Sequence, residues 1–172
     1  GAIFAIRRHL YRPLRAEDIN DFVIPLQIVS QGYRCVFEPE AVCYENAVVH
    51  FEEEFRRKVR VVNRSWNGLF RVKELLNPMR YGWFAIQLIS HKPLRWLTPL
   101  FLGALLMSAL SLASTHWFYA GIAMGQVGWY LLGLLGALLE KWHVHHRWLS
   151  FPCYFLLMNV ASIAGFCRYL RG

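Results

Sequence analysis

The sequence predicts an α/β segment followed by an α-helical membrane region. Short runs rich in strand-forming residues flank one helical repeat within the first 50 residues. A longer amphipathic helix follows them. The 44 residues from 96 to 139 then contain no Asp, Glu, Lys or Arg. A bilayer crossing needs about 20 apolar residues, whereas a buried helix seldom needs more than about 14.

The first 50 residues carry both strand and helix signals. Three short segments are typical of strands: residues 2–7, 33–37 and 41–44. A helix is predicted to open at Glu17-Asp18, because apolar residues recur at helical spacing up to Val29, and Gly32 is a stop signal. This order of elements predicts part of an α/β or α+β domain that is too small to be a complete sheet domain.

A long helix is predicted over residues 51–76 and ends at Asn77-Pro78. One face is apolar: Phe51, Phe55, Val59, Val62, Trp66 and Leu69. Basic residues crowd much of the remainder: Arg56, Arg57, Lys58, Arg60 and Arg64. The basic face is either a solvated surface or a contact for anionic phosphates of lipid or substrate.

Membrane signals follow the long helix. Residues 80–92 indicate an interfacial segment with three aromatic anchors: Tyr81, Trp83 and Phe84. Crossings are predicted at about 96–114, 117–139 and 148–167, and each begins with a Trp residue. Gly121 and Gly125 form a small-residue pair that Gly128 and Gly136 extend, which favours close approach of another helix.

The distribution of charge predicts the topology. Residues 1–96 carry 15 Lys/Arg and 10 Asp/Glu, so we expect residues 1–95 to be cytoplasmic in a multi-pass protein of the cell (inner) membrane. The membrane region explains this basic charge without nucleic acid, which we do not expect as a partner. Three crossings place Arg168 and Arg171 outside, against the positive-inside trend, so two or three crossings stay open.

The four cysteines show no paired spacing and predict free thiols, with a Cys35–Cys43 disulfide as the alternative. The N-terminal Gly1-Ala-Ile-Phe-Ala-Ile has neither an initiator Met nor a signal peptide, so we expect a fragment of a longer protein.

Few residues have catalytic potential. Asp18 is most simply an N-cap or first-turn acid of the first helix. Asp21, one turn in and among apolar neighbours, is a candidate general base for a substrate hydroxyl. His143, His145 and His146 do not share one helical face, so interface histidines are favoured over metal ligands there.

Several segments resemble, in order, the C-terminal half of membrane-bound family 2 glycosyltransferases, the group of hyaluronan, chitin and cellulose synthases. The resemblance rests on five segments: Gly1-Ala-Ile-Phe-Ala-Ile-Arg-Arg8, Ile19-Asn-Asp-Phe-Val-Ile-Pro-Leu26, Gly32-Tyr-Arg-Cys-Val-Phe-Glu-Pro-Glu-Ala-Val-Cys-Tyr-Glu45, Glu53-Glu-Phe-Arg-Arg-Lys-Val-Arg60 and Ser90-His-Lys-Pro-Leu-Arg-Trp96. The similarity extends in order over essentially the whole chain, because predicted membrane helices follow these five segments.

The resemblance implies a fold and an activity. Residues 1–50 would be the acceptor side of a glycosyltransferase-A domain, 51–95 a basic helix with an interfacial segment, and 96–172 the membrane region. A sugar would pass with inversion from a nucleotide-diphosphate donor to a sugar or lipid-linked acceptor. An acidic pair that opens a helix supplies the base in this family; Asn20-Asp21 occupies that place, so Asp21 would be the base.

Processive members carry Q-x-x-R-W on the following helix, and the match here is Arg57-Lys-Val-Arg60-Val61. The resemblance therefore implies that Arg57 and Arg60, together with Asn20, contact the substrate or its diphosphate. Val61 stands where the family's Trp would hold a sugar acceptor, so a single or different transfer is as compatible with the sequence as processive synthesis. The family's D-x-D for a divalent cation (Mg or Mn) is absent from this sequence. As given, the chain should therefore be catalytically incomplete.

Two other interpretations stay open. One is a non-enzymatic membrane anchor or transporter fragment whose basic helix binds membrane lipids. The other is a regulatory domain that senses anionic lipid through the same helix.

Overall fold

The computed structural model describes residues 3–44, 51–142 and 147–171, and within these ranges all regular structure is helical. The described residues form seven α-helices in chain order: α1 Asn20–Ser30, α2 Phe51–Arg71, α3 Pro78–Tyr81, α4 Trp83–His91, α5 Pro93–Leu112, α6 Trp117–Lys141 and α7 Arg147–Arg171. Short 3-10 helices cover Arg8–Leu10 and Lys73–Leu76. The chain divides into one unit of Gly1–Pro93 with Gly165–Gly172 and a second unit of Leu94–Ala164.

The predicted α/β segment is wrong, because none of its three strands forms within the described ranges. The side chains of the second predicted strand are exposed, at 88% for Val36 and 86% for Phe37. Val42 and Tyr44 of the third are exposed as well. A strand is stabilised by pairing with a neighbour and by burying one face, and these segments do neither. Without pairing or burial, local strand propensity is too weak to form a strand in these segments.

α1 begins at Asn20, three residues later than predicted, and ends as the sequence indicates. Gly32 has φ +85°, a conformation that glycine adopts without steric cost. Its N–H donates to the carbonyl of Val29 (2.9 Å), and the N–H of Tyr33 donates to that of Ile28 (3.2 Å). This pair of bonds is a Schellman cap, which satisfies the last carbonyls of the helix.

α2 buries the apolar face that the sequence predicts, at Val62, Trp66 and Leu69. Its α-helical part ends at Arg71 and continues as the 3-10 helix, so the predicted end at residue 76 includes a change of helix type. The last turns of α7 pack on it within the first unit: a Cβ at Gly165 would lie 2.7 Å from that of Val62. The rings of Trp66 and Phe166 are 5.2 Å apart.

The second unit is built from helices that suit a bilayer. Three described helices have the length and apolar composition to cross a membrane: Pro93–Leu112, Trp117–Glu140 and Arg147–Arg171. Their most apolar windows are only 11%, 17% and 33% buried within the structure. So much exposed apolar surface is unfavourable in water and indicates a membrane protein.

Glycine positions show where α6 and α7 approach closely. A Cβ at Gly133 would lie 2.7 Å from the carbonyl oxygen of Pro152, and one at Gly136 would lie 2.8 Å from that of Leu149. The predicted pair Gly121 and Gly125 instead faces open space. Close helix packing in this unit therefore uses the cytoplasm-proximal glycines of the predicted topology.

Candidate functional site

The opening of α1 carries the residue predicted as the base. Asp21 is exposed in the first turn, and Asn20 beside it is exposed too. The helix starts because the carbonyl of Ile19 accepts from the N–H groups of Phe22 (3.1 Å) and Val23 (2.8 Å). Ile19 offers no side-chain cap, so the negative charge of Asp21 is the favourable partner for the dipole at this end.

Asp21 is not engaged with other side chains. It makes no side-chain hydrogen bond or ion pair with any residue in the described ranges. Pro25, one turn later, has no N–H, so the backbone carbonyl of Asp21 receives no helical bond from it. The exposed carboxylate of Asp21 is therefore accessible to a ligand.

Asp18 has a role that differs from the predicted cap. Its Oδ2 accepts from the N–H of Arg15 (2.8 Å) and from Nη1 of Arg71 (2.7 Å). The side chain is only 1% exposed, and its Oδ1 is buried without a partner among the described residues. The N-cap assignment is wrong, because Ile19 is the N-cap and Asp18 instead closes the turn from Arg15. Asp18 is thus the buried carboxylate of an ion pair whose Arg71 side chain is partly exposed.

Arg71 is the residue that sequence reasoning missed. It lies at the C-terminal end of α2, 53 residues from Asp18, and its guanidinium also approaches Glu17 at 4.0 Å. No periodic pattern links positions so far apart. The one available signal is an Arg on the last turn of an amphipathic helix, which is usually explained by the helix dipole alone.

Arg57 lies near the start of α2 and binds Glu54 through two bonds of 2.7 and 2.9 Å. Lys58 approaches the same carboxylate at 3.2 Å. The hydrogen bond from Arg57, aided by Lys58, holds the pKa of Glu54 below its ordinary value. Part of the positive charge of α2 is therefore compensated locally.

Arg60 is exposed and forms no ion pair with the residues that the structure describes. Arg60 and Arg57 precede Arg71 by 11 and 14 residues, so they lie about 16 Å and about 21 Å from it along the helix axis. Within the described ranges, no hydrogen bond or ion pair joins either of them to Asp21. The described structure brings Arg71, rather than these two residues, to the opening of α1.

The described residues do not supply a metal centre. No group of three or more His, Cys, Asp and Glu side chains within the described ranges can hold an ion. His143, His145 and His146 lie outside those ranges. The residues present therefore do not fit the divalent cation that the resemblance implies, and no chemical step of this chain is derived through one.

All four cysteines are free thiols. Cys35 Sγ lies 3.8 Å from the carbonyl oxygen of Pro25, and partial burial raises the pKa of this thiol. A raised pKa favours the protonated form of this thiol.

Comparisons with protein-family models, with characterised proteins and with solved structures find no match to this chain. Function is therefore inferred from the residues at the opening of α1, from α2 and from the membrane helices.

Proposed function

We propose that this chain forms the acceptor side and the membrane portion of an inverting glycosyltransferase. A sugar would move from a nucleotide-diphosphate sugar to a hydroxyl of a sugar or lipid-linked acceptor, in polysaccharide or glycolipid assembly. The observation that carries the proposal is Asp21: an exposed carboxylate, in the first turn of a helix, with no side-chain partner among the described residues. The family resemblance of the five ordered sequence segments is the second support for the proposal.

In the proposed reaction Asp21 is the general base. Its carboxylate accepts the proton of the acceptor hydroxyl as that oxygen attacks the anomeric carbon. The bond from the anomeric carbon to the diphosphate oxygen breaks, and the electron pair leaves with the nucleoside diphosphate. Attack from the face opposite the leaving group inverts the configuration. The accessibility of Asp21 supports this role, because a base must come within hydrogen-bond distance of the proton that it removes.

The resemblance assigns Arg60 to the leaving diphosphate; its guanidinium is exposed, and the described structure does not bring it to the opening of α1. Arginine matches phosphate geometry through paired donors. Arg57 shares its charge with Glu54, so we assign it a weaker contact. The proposal places donor binding and the divalent cation on parts of the enzyme other than the described residues.

The location follows from the membrane helices and the charge. Three apolar helices support a membrane protein, and the basic residues before Trp96 support a cytoplasmic placement of residues 1–95 in the cell (inner) membrane. The acceptor hydroxyl would then be used beside the bilayer, where a lipid-linked acceptor or a growing glycan can be held.

The test uses the full-length enzyme in native membrane vesicles. It is supplied in turn with a panel of labelled nucleotide sugars and with extracted membrane lipid as acceptor. The proposal predicts release of a nucleoside diphosphate and a labelled product whose anomeric configuration is inverted relative to the donor. If no donor is consumed, the chain is a membrane anchor rather than an enzyme component. If the configuration is retained, the single-displacement role of Asp21 is wrong.

A further inference from the structure

The ion pair between Asp18 and Arg71 joins the beginning of α1 to the end of α2. Arg71 Nη1 lies 2.7 Å from Asp18 Oδ2, and the same oxygen accepts from the N–H of Arg15. The Asp18 side chain is 1% exposed and that of Arg71 is 28% exposed. Asp18 is therefore closed off from any substrate and has no direct part in chemistry.

The apolar contacts around the pair are tight. A Cβ at Gly68, one turn before Arg71, would lie 2.9 Å from Val23 Cγ2. On the other side, Lys92 Nζ lies 5.0 Å from the centre of the Phe22 ring, within the range of a cation–π contact. The first turn of α1 thus packs against Gly68 and Lys92, and the ion pair holds Asp18, which lies two residues before the helix begins. Asp21 lies on this turn and is its exposed carboxylate.

The pair depends on charge as well as on packing. Asp18 Oδ1 is buried without a partner among the described residues, so its negative charge is compensated through Oδ2 alone. Glu17 approaches the same guanidinium at 4.0 Å but is 62% exposed, so solvent screens its contribution. Removing the charge of Arg71 would leave a buried carboxylate uncompensated, which drives the turn from Arg15 to Asp18 towards water.

We propose that Asp18 and Arg71 are positioning residues, whose ion pair holds the first turn of α1 so that Asp21 meets the acceptor hydroxyl. The inference rests on the proposed function, and it adds two residues that the family resemblance does not assign. It also gives different roles to two carboxylates, Asp18 and Asp21, which are three positions apart. The buried Asp18 fixes the turn, and the exposed Asp21 takes the proton.

The test uses the full-length enzyme in lipid nanodiscs with three variants: Arg71→Gln, Arg71→Lys and Asp18→Asn. Arg80→Gln is the matched control, because Arg80 and Glu74 form an ion pair of 3.5 Å in which both side chains are more than half exposed. Donor binding sites are counted first with a labelled donor, and turnover is expressed per donor site. A variant that folds poorly then lowers the number of sites without lowering the turnover of each site.

We expect Arg71→Gln and Asp18→Asn to lower turnover per donor site by at least about tenfold, since a displacement of about 1 Å can cost about 100-fold. The donor dissociation constant should stay within about twofold. Arg71→Lys should recover part of the turnover, because it restores the charge without the paired donors. Hydrogen exchange of the α1 amides should quicken in Arg71→Gln and stay unchanged in Arg80→Gln.

The outcomes separate this inference from the proposed function. If the wild-type enzyme consumes no donor, both are overturned. If the wild type is active and Arg71→Gln keeps full turnover per donor site, the positioning role alone is overturned. Faster exchange of α1 together with unchanged turnover means that the pair only stabilises the fold, which also contradicts the inference.

Discussion

Replacing Gly68 with alanine tests how α1 packs on α2. The new Cβ would lie 2.9 Å from Val23 Cγ2 and 3.6 Å from Phe22 Cδ1. Carbon atoms in contact are ordinarily separated by about 3.5–4.0 Å, so the contact with Val23 is too short. Val23 is only 2% exposed, which leaves its methyl groups little free volume. Either the Val23 rotamer or the separation of the two helices must change.

Two opposing terms set the magnitude for Gly68→Ala. Alanine is favoured over glycine within a helix by about 0.8–1 kcal/mol, whereas overpacking a filled site costs about 1–3 kcal/mol. The net expectation is a loss of about 1 kcal/mol in the free energy that holds α1 on α2. Val23→Ala alone should cost about 1–3 kcal/mol by leaving a cavity. In the double variant the methyl group introduced at position 68 occupies part of that cavity, so the losses should fall short of their sum by about 1 kcal/mol.

The assay is hydrogen exchange of the α1 amides, followed by mass spectrometry, in the full-length protein in lipid. A loss of about 1 kcal/mol should raise exchange about fivefold. Gly103→Ala on α5 is the control, because nothing lies within 4 Å of a Cβ at that position, and it should leave α1 unchanged. Unchanged exchange in Gly68→Ala, together with strict additivity in the double variant, would refute the packing.

Three further predictions concern α2, the membrane helices and the interfacial segment. The pKa of Glu54 is lowered by its hydrogen bond from Arg57, so the ionised carboxylate stabilises α2 fully above the ordinary pKa of 4.5, and this stabilisation is lost as the pH falls through the lower folded pKa. An acid titration followed by circular dichroism should show this loss of helix in the wild type and not in Glu54→Gln. Gly133→Leu should lower the thermal stability of the membrane region more than Gly125→Leu, because a Cβ at position 133 meets α7 whereas one at position 125 has nothing within 4 Å; equal shifts would contradict the packing. Trp83 is 78% exposed at the start of α4, and a spin label at this position should collide with oxygen dissolved in lipid rather than with a water-soluble nickel chelate.

The membrane region could be predicted because one physical limit governs it. A bilayer core of about 30 Å fixes the length of a crossing and excludes charge, and both constraints are visible in the sequence. The predicted segment 96–114 and the observed helix Pro93–Leu112 differ only at their ends. The apolar face of α2 could also be predicted, because the buried residues Val62 and Trp66 follow helical spacing.

The strands could not be predicted reliably, because a strand needs a partner that a local pattern does not reveal. Val36 and Phe37 have strand propensity, but in the described structure they are exposed and lack a neighbouring strand. Propensity of this kind is weak compared with packing. A local sequence pattern does not show which distant segments pair, so it could not show that these strands do not form.

The candidate site could be predicted only where it depends on local sequence. The helical spacing placed Asp21 one turn into a helix that opens at Glu17-Asp18, whereas in the structure α1 begins at Asn20 and Asp21 lies in its first turn. The partner of Asp18 did not follow, because Arg71 is 53 residues away and an Asp just before a helix is usually its cap. Contacts between distant residues come from packing, and this contact makes Asp18 the buried partner of Arg71 rather than a cap.

The most direct measurement of the proposed function is the turnover of Asp21→Asn in the full-length protein, per donor binding site. Asparagine keeps the shape of the side chain but cannot take a proton from the acceptor hydroxyl. Glu53→Gln is the matched control, since Glu53 is also an exposed first-turn carboxylate. We predict that Asp21→Asn loses sugar transfer by at least about 100-fold while donor affinity and Glu53→Gln stay near wild type. Turnover of Asp21→Asn within a few-fold of wild type would contradict the claim.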